Sequence, residues 1–179
     1  YAEVAWLHDH WGYWGINTIS SDECVNPVRN PGNDWSDDGY WKGFNDHSWT
    51  ANDLSFEFVW QYSNAGAVLC NKILSQLESI KESLQQAGLY DRFSAELKVL
   101  RCYYYYTLFD SFGRIPYLDS YSSAAVPQSE PWEVWNKLVT LLEEEAPKLP
   151  AITDANRAEN YGRCSQGMAY TLLARLYLN

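Results

Sequence analysis

Residues 101–116 read RCYYYYTLFDSFGRIP, and this run of tyrosines, with the residues just before it, decides the fold. From about Arg92 to Phe112 the apolar residues form two stripes on nearly opposite sides of a helix. Tyr104 belongs to one stripe and Tyr106 to the other, so we predict that they enter separate cores, with the other two tyrosines at polar rims. A helix buried on two sides lies between neighbours, as the inner helices of stacked helical hairpins do.

Three further segments have the period of a helix. They run from about Leu54 to Leu84, from Ser129 to Pro150 and from about Ser165 to Asn179. Ser129 is the predicted N-cap in front of Pro131, and Gly88 and Gly113 follow the two longest helices. Strand signals are scarce. The sequence therefore predicts an all-α fold of antiparallel helix pairs.

Length and charge restrict the domain count and the class of partner. The 179 residues suffice for one domain, which divides into an aromatic, loop-rich segment (1–53) and the helix pairs (54–179). The formal net charge of −10 repels phosphate backbones and anionic lipid surfaces, so nucleic acid is not an expected partner. No apolar stretch reaches the roughly eighteen residues of a membrane span.

The four cysteines do not have the spacing of a metal site. Cys70 and Cys102 occupy apolar helical positions and are predicted to be buried thiols. A disulfide between Cys24 and Cys164 is compatible with the sequence, but nothing in the sequence requires one. The disulfide state is therefore left open.

Residues that often carry catalysis or bind metals are present, but not in a pattern that names an enzyme. Acidic pairs at 22–23 and 37–38 are sequence neighbours whose side chains diverge, so they are interpreted as solvated loop acids. The string 33–39 resembles a calcium loop only faintly. Nucleotide-binding fingerprints and nucleophile motifs are absent, and the histidines are interpreted as surface residues: His8, His10 and His47. No cofactor or metal is predicted.

The aromatic segment is the better candidate for function. Seven of the nine tryptophans lie in the first third of the chain, among Asn, Asp, Gly and Ser residues. Sugar rings stack their apolar faces on Trp or Tyr and form hydrogen bonds with Asn or Asp. The predicted glycan-binding residues are therefore Trp41, Asn45, Trp49 and Asn52. The alternative is that these tryptophans pin the loop to the helices.

Three motifs, in this order and spacing, resemble a known family. They are WQYSNAGAVLCNKIL at 60–74, AELKVLRCYYYYTLFDSFGRIPYL at 95–118 and GRCSQGMAYTLLARLYLN at 162–179, and SSDE at 20–23 is similar as well. Together they resemble the amino-terminal region of the SusD/RagB family. Cys102 in place of a small Ala and Arg114 in place of a common Asp depart from the family pattern, but both positions belong to the scaffold.

The resemblance implies tetratricopeptide-like helix pairs in a lipoprotein on the external face of the cell outer membrane. Such proteins capture oligosaccharides or polysaccharides and associate with a SusC-like TonB-dependent transporter that imports them. Family members are much longer, so we expect further chain beyond this sequence. The resemblance also implies a lipidated cysteine near the true amino terminus, and it assigns that role to none of the four cysteines of this sequence.

Three functions stay open at this point. The first is non-catalytic glycan binding through the aromatic segment. The second is a helical-repeat adaptor that binds a protein and no sugar, because helix pairs are equally suited to it. The third is a helical glycoside hydrolase, which requires two facing carboxylates that the sequence does not place.

Overall fold

The computed structural model describes residues 2–25 and 39–178, and most of these residues are helical. The helices are α1 (Ala2–Leu7), α2 (Tyr13–Ile19), α3 (Tyr40–Asn45), α4 (Leu54–Ser79), α5 (Lys81–Gln86), α6 (Tyr90–Phe112), α7 (Pro131–Glu145), α8 (Arg157–Asn160) and α9 (Gln166–Leu178), with a 3-10 turn at Ala146–Lys148. Within the described residues, the strands are β1 (Ile115–Pro116) and β2 (Gln128–Ser129), which pair antiparallel. The predicted all-α class is confirmed.

Two helix boundaries differ from the prediction. The first predicted helix is interrupted at Ile80, whose φ of −118° and ψ of 20° leave the helical region, so α4 and α5 are separate helices. The N-cap of α7 is Glu130 rather than Ser129. Pro131 forces the residue before it into an extended conformation, which is the conformation of an N-cap. Glu130 and Glu133 then form a reciprocal capping box.

The chain divides into two compact units, Tyr1–Ser63 and Asn64–Asn179. We call them the amino-terminal unit and the helical unit. The amino-terminal unit has a core rich in large side chains that include Leu7, Ile16, Trp41, Phe44 and Val59. Whether the chain folds as one domain, divided at residue 54 as the sequence suggested, stays a prediction.

The helical unit has its core between α6, α7 and α9. The indole N–H of Trp135 on α7 donates a hydrogen bond of 2.7 Å to the carbonyl of Leu176 on α9. The buried apolar side chains of this core include Val99, Cys102, Leu108, Val134, Leu138, Leu142, Leu172 and Leu176. None of the described helices is long and apolar enough to span a membrane.

The tyrosine run is buried more completely than its pattern indicated. Tyr104 and Tyr106 are buried, as predicted, but Tyr105 is also buried with 3% of its surface exposed, so its assignment to a polar rim was wrong. Its hydroxyl donates to the carbonyl of Leu118 at 2.9 Å and accepts from the amide of Leu118 at 3.0 Å. Because both hydrogen-bonding roles are satisfied, the ring is buried without an unpaired hydroxyl.

Polar residues from the family-like motifs hold the segment that follows β1. The guanidinium Nη1 of Arg101 donates to Asn71 Oδ1 at 2.6 Å and to the carbonyl of Asp119 at 2.5 Å. The amide of Asn71 donates to the carbonyl of Leu118 at 3.0 Å. Gly113 ends α6 with a φ of 69°, as predicted, because this left-handed conformation favours glycine.

Candidate functional site

The predicted site residues lie on α3 and on the segment between α3 and α4. Helix α3 buries Trp41 and Phe44, which are three residues apart and therefore share a helix face. The Tyr40 hydroxyl donates to Ser55 Oγ and accepts from the Ser55 amide, both at 2.9 Å, and so joins α3 to the first turn of α4. These contacts fix both ends of the segment 46–53.

Trp41 is placed in the core of the amino-terminal unit. It has no exposed surface, and its ring centroid lies 4.8 Å from that of Trp11 and 4.9 Å from that of Tyr40. A ring enclosed by other aromatic rings has no face for a sugar. The predicted stacking role therefore does not fit the burial of Trp41, and the alternative that this residue pins the loop fits its contacts.

Asn45 is half-buried, and its side chain connects α3 to the chain after α2. Its amide Nδ2 donates to the carbonyl of Ile19 at 2.5 Å and to the carbonyl of Cys24 at 3.3 Å. Both contacts are internal to the amino-terminal unit. The side-chain amide of Asn45, which was predicted to donate to sugar hydroxyls, thus donates to backbone carbonyls instead.

Trp49 is the predicted residue that presents an aromatic surface. It is 38% exposed, and its ring is stacked on that of Phe44 with 5.8 Å between centroids and 21° between planes. The imidazole of His47 lies against the same indole at 4.9 Å, and the ring nitrogen Nε2 of His47 is 2.9 Å from the carbonyl of Ser20. The indole is therefore supported by two rings and is still open to solvent.

Asn52 follows Trp49 by three residues and lies in a tight turn formed by residues 50–53. The amide and hydroxyl of Thr50 both donate to the Asp53 carboxylate, and the hydroxyl contact is 3.2 Å long. The amide of Asn52 donates to Thr50 Oγ1 at 3.3 Å. The Asn52 residue is exposed, and its side chain forms no hydrogen bond with the described residues. Its amide group is available to a ligand.

Some supporting and exposed residues were missed by the sequence reasoning. His47 has a φ of 55°, an uncommon conformation for a residue other than glycine, and no sequence signal marked it as a support for Trp49. Trp6 and Trp14 are also exposed, at 56% and 47%. Their only signal is the concentration of tryptophans near the start of the chain.

The described residues do not bring the candidate metal ligands or the acidic pairs of the sequence together into one site. No group of three or more His, Cys, Asp or Glu side chains able to hold a metal ion occurs within residues 2–25 and 39–178. The acidic pair at 37–38 and most of the faint calcium-like string at 33–39 lie outside the described residues. Asp22 and Glu23 are both exposed.

Comparison with known proteins gives a family. Residues 15–178 match the SusD-like family that is described as starch-binding and associating with the outer membrane. The chain belongs to this SusD-like family. The resemblance found in the sequence motifs is therefore confirmed, and it extends over nearly the whole chain.

Individual relatives agree with this assignment. The starch-binding protein SusD of Bacteroides thetaiotaomicron is 24% identical over 168 residues, which are 93% of this chain and 27% of that protein. A laminarin-binding SusD-like protein is 26% identical with a TM-score of 0.70, covering 99% of this chain and 39% of that one. The surface glycan-binding protein A of Bacteroides uniformis is 22% identical with a TM-score of 0.73, covering 99% and 40%.

These SusD-like relatives are considerably longer than the present chain. The chain spans 27% of the length of the curated relative and 39% of the length of the laminarin-binding one. The last neighbour, at 22% identity, is similar in fold alone. This chain thus has the helical architecture of the family. Because it spans less than half of its relatives, the activity of a whole SusD-like protein is only proposed for it below.

Proposed function

We propose that this SusD-like chain is part of a non-catalytic glycan-binding protein. The observation that carries the proposal is the exposed indole of Trp49, held flat on Phe44 in a chain whose family is described as starch-binding. A supported indole offers a rigid apolar face to a sugar ring and loses little side-chain entropy on binding. The exposed amide of Asn52 supplies hydrogen bonds for hydroxyl groups beside that face.

The wider role follows from the family resemblance. We propose an outer-membrane lipoprotein on the external face, which passes an oligosaccharide or polysaccharide to a SusC-like TonB-dependent transporter. Weak stacking suits this role because a ligand that binds weakly is released quickly. In this proposal Trp41 and Asn45 act as supports of the loop, and Trp49 and Asn52 contact the glycan.

The test is glycan binding by the complete natural protein. Starch and laminarin are included in the panel because the names of two relatives refer to them. We expect Trp49→Ala to weaken binding by about tenfold, because truncation of an aromatic contact residue commonly costs more than about 1 kcal/mol of binding free energy. Asn52→Ala is expected to weaken it by about threefold, because a hydrogen bond contributes about 1 kcal/mol or less. Reducing ends are expected not to appear during incubation.

Trp132 provides a matched control for the glycan test. It is 65% exposed and lies on α7, in the helical unit, so Trp132→Ala removes an indole that is more accessible than that of Trp49. Binding should be unchanged in this variant. Failure of the natural protein to bind any glycan, or equal losses in Trp49→Ala and Trp132→Ala, would argue against the proposed site. Release of reducing ends would argue against the non-catalytic role.

A protein-binding adaptor is the second candidate, and exposed apolar side chains on α7 and α9 favour it. Trp132, Tyr177 and Leu178 are exposed at 65%, 56% and 86%. Aromatic side chains such as those of Trp132 and Tyr177 are enriched in protein interfaces. If the adaptor function is right, Trp132→Ala should weaken association with the transporter, whereas the natural protein should bind no glycan.

A further inference from the structure

A cavity of about 430 Å³ that is largely open to solvent lies in the helical unit, lined by side chains of α6, α7 and the segment after β1. Its lining includes three cations, Lys98, Arg101 and Lys137, together with the ring of Tyr117. A cavity of this volume is large enough for one sugar ring or a short peptide segment. The charges on the lining decide between these classes of ligand.

Arg101 is the buried cation of this cavity, with only 5% of its surface exposed. Its two hydrogen bonds through Nη1 go to neutral oxygens, on Asn71 and on the backbone of Asp119. Its Nε atom is buried and has no hydrogen-bond partner among the described residues. A buried guanidinium without an anionic partner is energetically costly, so the site favours an added anion.

The two lysines of the lining differ in their partners. Lys98 forms an ion pair of 2.6 Å with Glu145, which also accepts from Lys148 at 2.8 Å. Lys137 has no such pair within the described residues, and its ammonium lies 4.7 Å from the centroid of the Tyr117 ring. The cavity therefore contains two cations, Arg101 and Lys137, whose charges no described carboxylate neutralises by direct contact.

Three carboxylates, Asp119, Glu144 and Glu145, also line the cavity. Glu145 is buried and is neutralised by its ion pairs with Lys98 and Lys148, whereas Asp119 and Glu144 belong to exposed residues. Water screens their charges more effectively than the charge of the buried Arg101. Carboxylates accept hydrogen bonds from hydroxyl groups, and Asn136 and Thr140 on α7 add further polar groups. The lining thus offers cations for one anionic group and several acceptors for hydroxyls.

We propose that this cavity binds a hexuronic acid residue of an acidic glycan. Its carboxylate would contact Arg101 and Lys137, and its ring hydroxyls would donate to Asp119 and Glu144. A neutral sugar leaves Arg101 without an anion. An acidic peptide brings further carboxylates towards Asp119 and Glu144 and has no comparable set of hydroxyls. The proposal does not depend on the role of Trp49.

The test compares two ligands that differ only at one carbon, methyl β-glucuronide and methyl β-glucoside. Each is titrated into the complete natural protein and followed by NMR. We expect the glucuronide to bind more tightly than the glucoside, with an affinity that falls as salt is added, whereas the weaker affinity of the glucoside should not depend on salt. Lys137→Gln is expected to weaken glucuronide binding by about fivefold, the effect of losing one partly exposed ion pair.

Lys72→Gln is the matched control, because Lys72 is exposed on α4 and forms no ion pair within the described part of the chain. It should leave glucuronide binding unchanged. In Trp49→Ala protein, which lacks the proposed stacking residue of the loop, the preference for the glucuronide over the glucoside should persist. Arg101→Lys, if circular dichroism shows that it folds, should weaken binding because a lysine cannot reproduce the guanidinium geometry. If the Arg101→Lys variant does not fold, the comparison of Lys137→Gln with Lys72→Gln tests the proposal.

Several results would overturn the proposal. They are absence of glucuronide binding, equal binding of the glucoside, or equal affinities of the Lys137→Gln and Lys72→Gln variants. Displacement of the glucuronide by a triglutamate peptide of higher affinity would also overturn it, because the cavity would then be a peptide site.

Discussion

The ring of Tyr104 lies directly on the backbone of α4 at Gly66. A Cβ atom built on Gly66 would lie 2.3 Å from Tyr104 Cζ and 2.4 Å from Cε1. Tyr104 is 1% exposed, so its ring is enclosed and has little room to move aside. The close approach of α4 and α6 therefore requires glycine at this position.

We predict that Gly66→Ala destabilises the protein by about 1–3 kcal/mol, the cost of overpacking a core, although alanine is the better helix former by about 1 kcal/mol. Urea denaturation measures the free energy of unfolding. Gly167→Ala is the matched control, because the nearest atom to its added Cβ is Ser165 Oγ at 3.8 Å. That variant should be as stable as the natural protein or slightly more stable. Equal stability of both variants would contradict a tight contact at Gly66.

Much of this fold was predictable because long helices carry a long periodic signal. The apolar repeats of α4, α6, α7 and α9 extend over several turns, and Gly113 marked the end of α6 correctly. Helices α1, α2, α3 and α8 have 6, 7, 6 and 4 residues, too few to establish a period. Their positions depend on tertiary packing, which a single sequence does not show.

The candidate site was less predictable because burial separates residues that look alike in sequence. Trp41 and Trp49 are both aromatic, and each has an asparagine a few positions later. The helical geometry of α3 turns Trp41 towards Trp11 and the core, whereas Trp49 lies in an irregular segment against Phe44. Which of two similar tryptophans faces the solvent is decided by these contacts.

The pairing of Glu96 with Arg163 gives a second prediction. Glu96 on α6 is 6% exposed and accepts from Arg163 Nε at 3.2 Å, from Arg163 Nη2 and from the Cys164 amide at 3.2 Å. We expect Glu96→Ala to lower the free energy of unfolding by about 3 kcal/mol, because it leaves Arg163 and the amide without this acceptor. Chemical denaturation provides the measurement.

Glu82→Ala is the control for this pair, since Glu82 is exposed on α5 and should change stability by about 0.5 kcal/mol or less. A double-mutant cycle with Arg163→Ala isolates the interaction itself. The coupling energy is expected to exceed about 1 kcal/mol. Additive losses would mean that the two residues contribute independently.

The cysteines give a third prediction. All four lie within the described residues, and none forms a disulfide. Burial raises the pKa of the Cys70 thiol to about 12, with the Arg101 charge opposing it in part, and burial also raises the pKa of Cys102. Cys164 is 1% exposed, whereas Cys24 is only half-buried.

We therefore expect Cys24 alone to react quickly with Ellman's reagent at about pH 8, where the raised pKa keeps Cys70 in the unreactive thiol form and burial hinders access of the reagent. Four thiols should react after denaturation in guanidinium. Cys24→Ser should abolish the fast reaction in the native protein. A total of two thiols after denaturation would indicate that one disulfide forms in the natural protein and would contradict four free cysteines.

The last prediction concerns acid stability and rests on Glu145, a buried carboxylate held between two ammonium groups. Burial alone would raise the pKa of Glu145, but hydrogen bonds from Lys148 and Lys98 outweigh it, so the pKa lies below its ordinary value of 4.5. A carboxyl whose pKa is lowered by folding stabilises the protein above its unfolded pKa, and this contribution is lost as the pH falls through the lower folded value.

Glu145→Gln should therefore be less stable than the natural protein by about 1–2 kcal/mol at neutral pH, because the charged hydrogen bonds are lost. The difference should decrease between about pH 5 and pH 3 and disappear in stronger acid, where the natural carboxyl is protonated too. Urea denaturation at a series of pH values measures it. The exposed neighbour Glu144 forms no ion pair within the described residues, so Glu144→Gln should show no such pH dependence. A difference for Glu145→Gln that stays constant down to about pH 3 would show that packing, rather than charge, accounts for the loss.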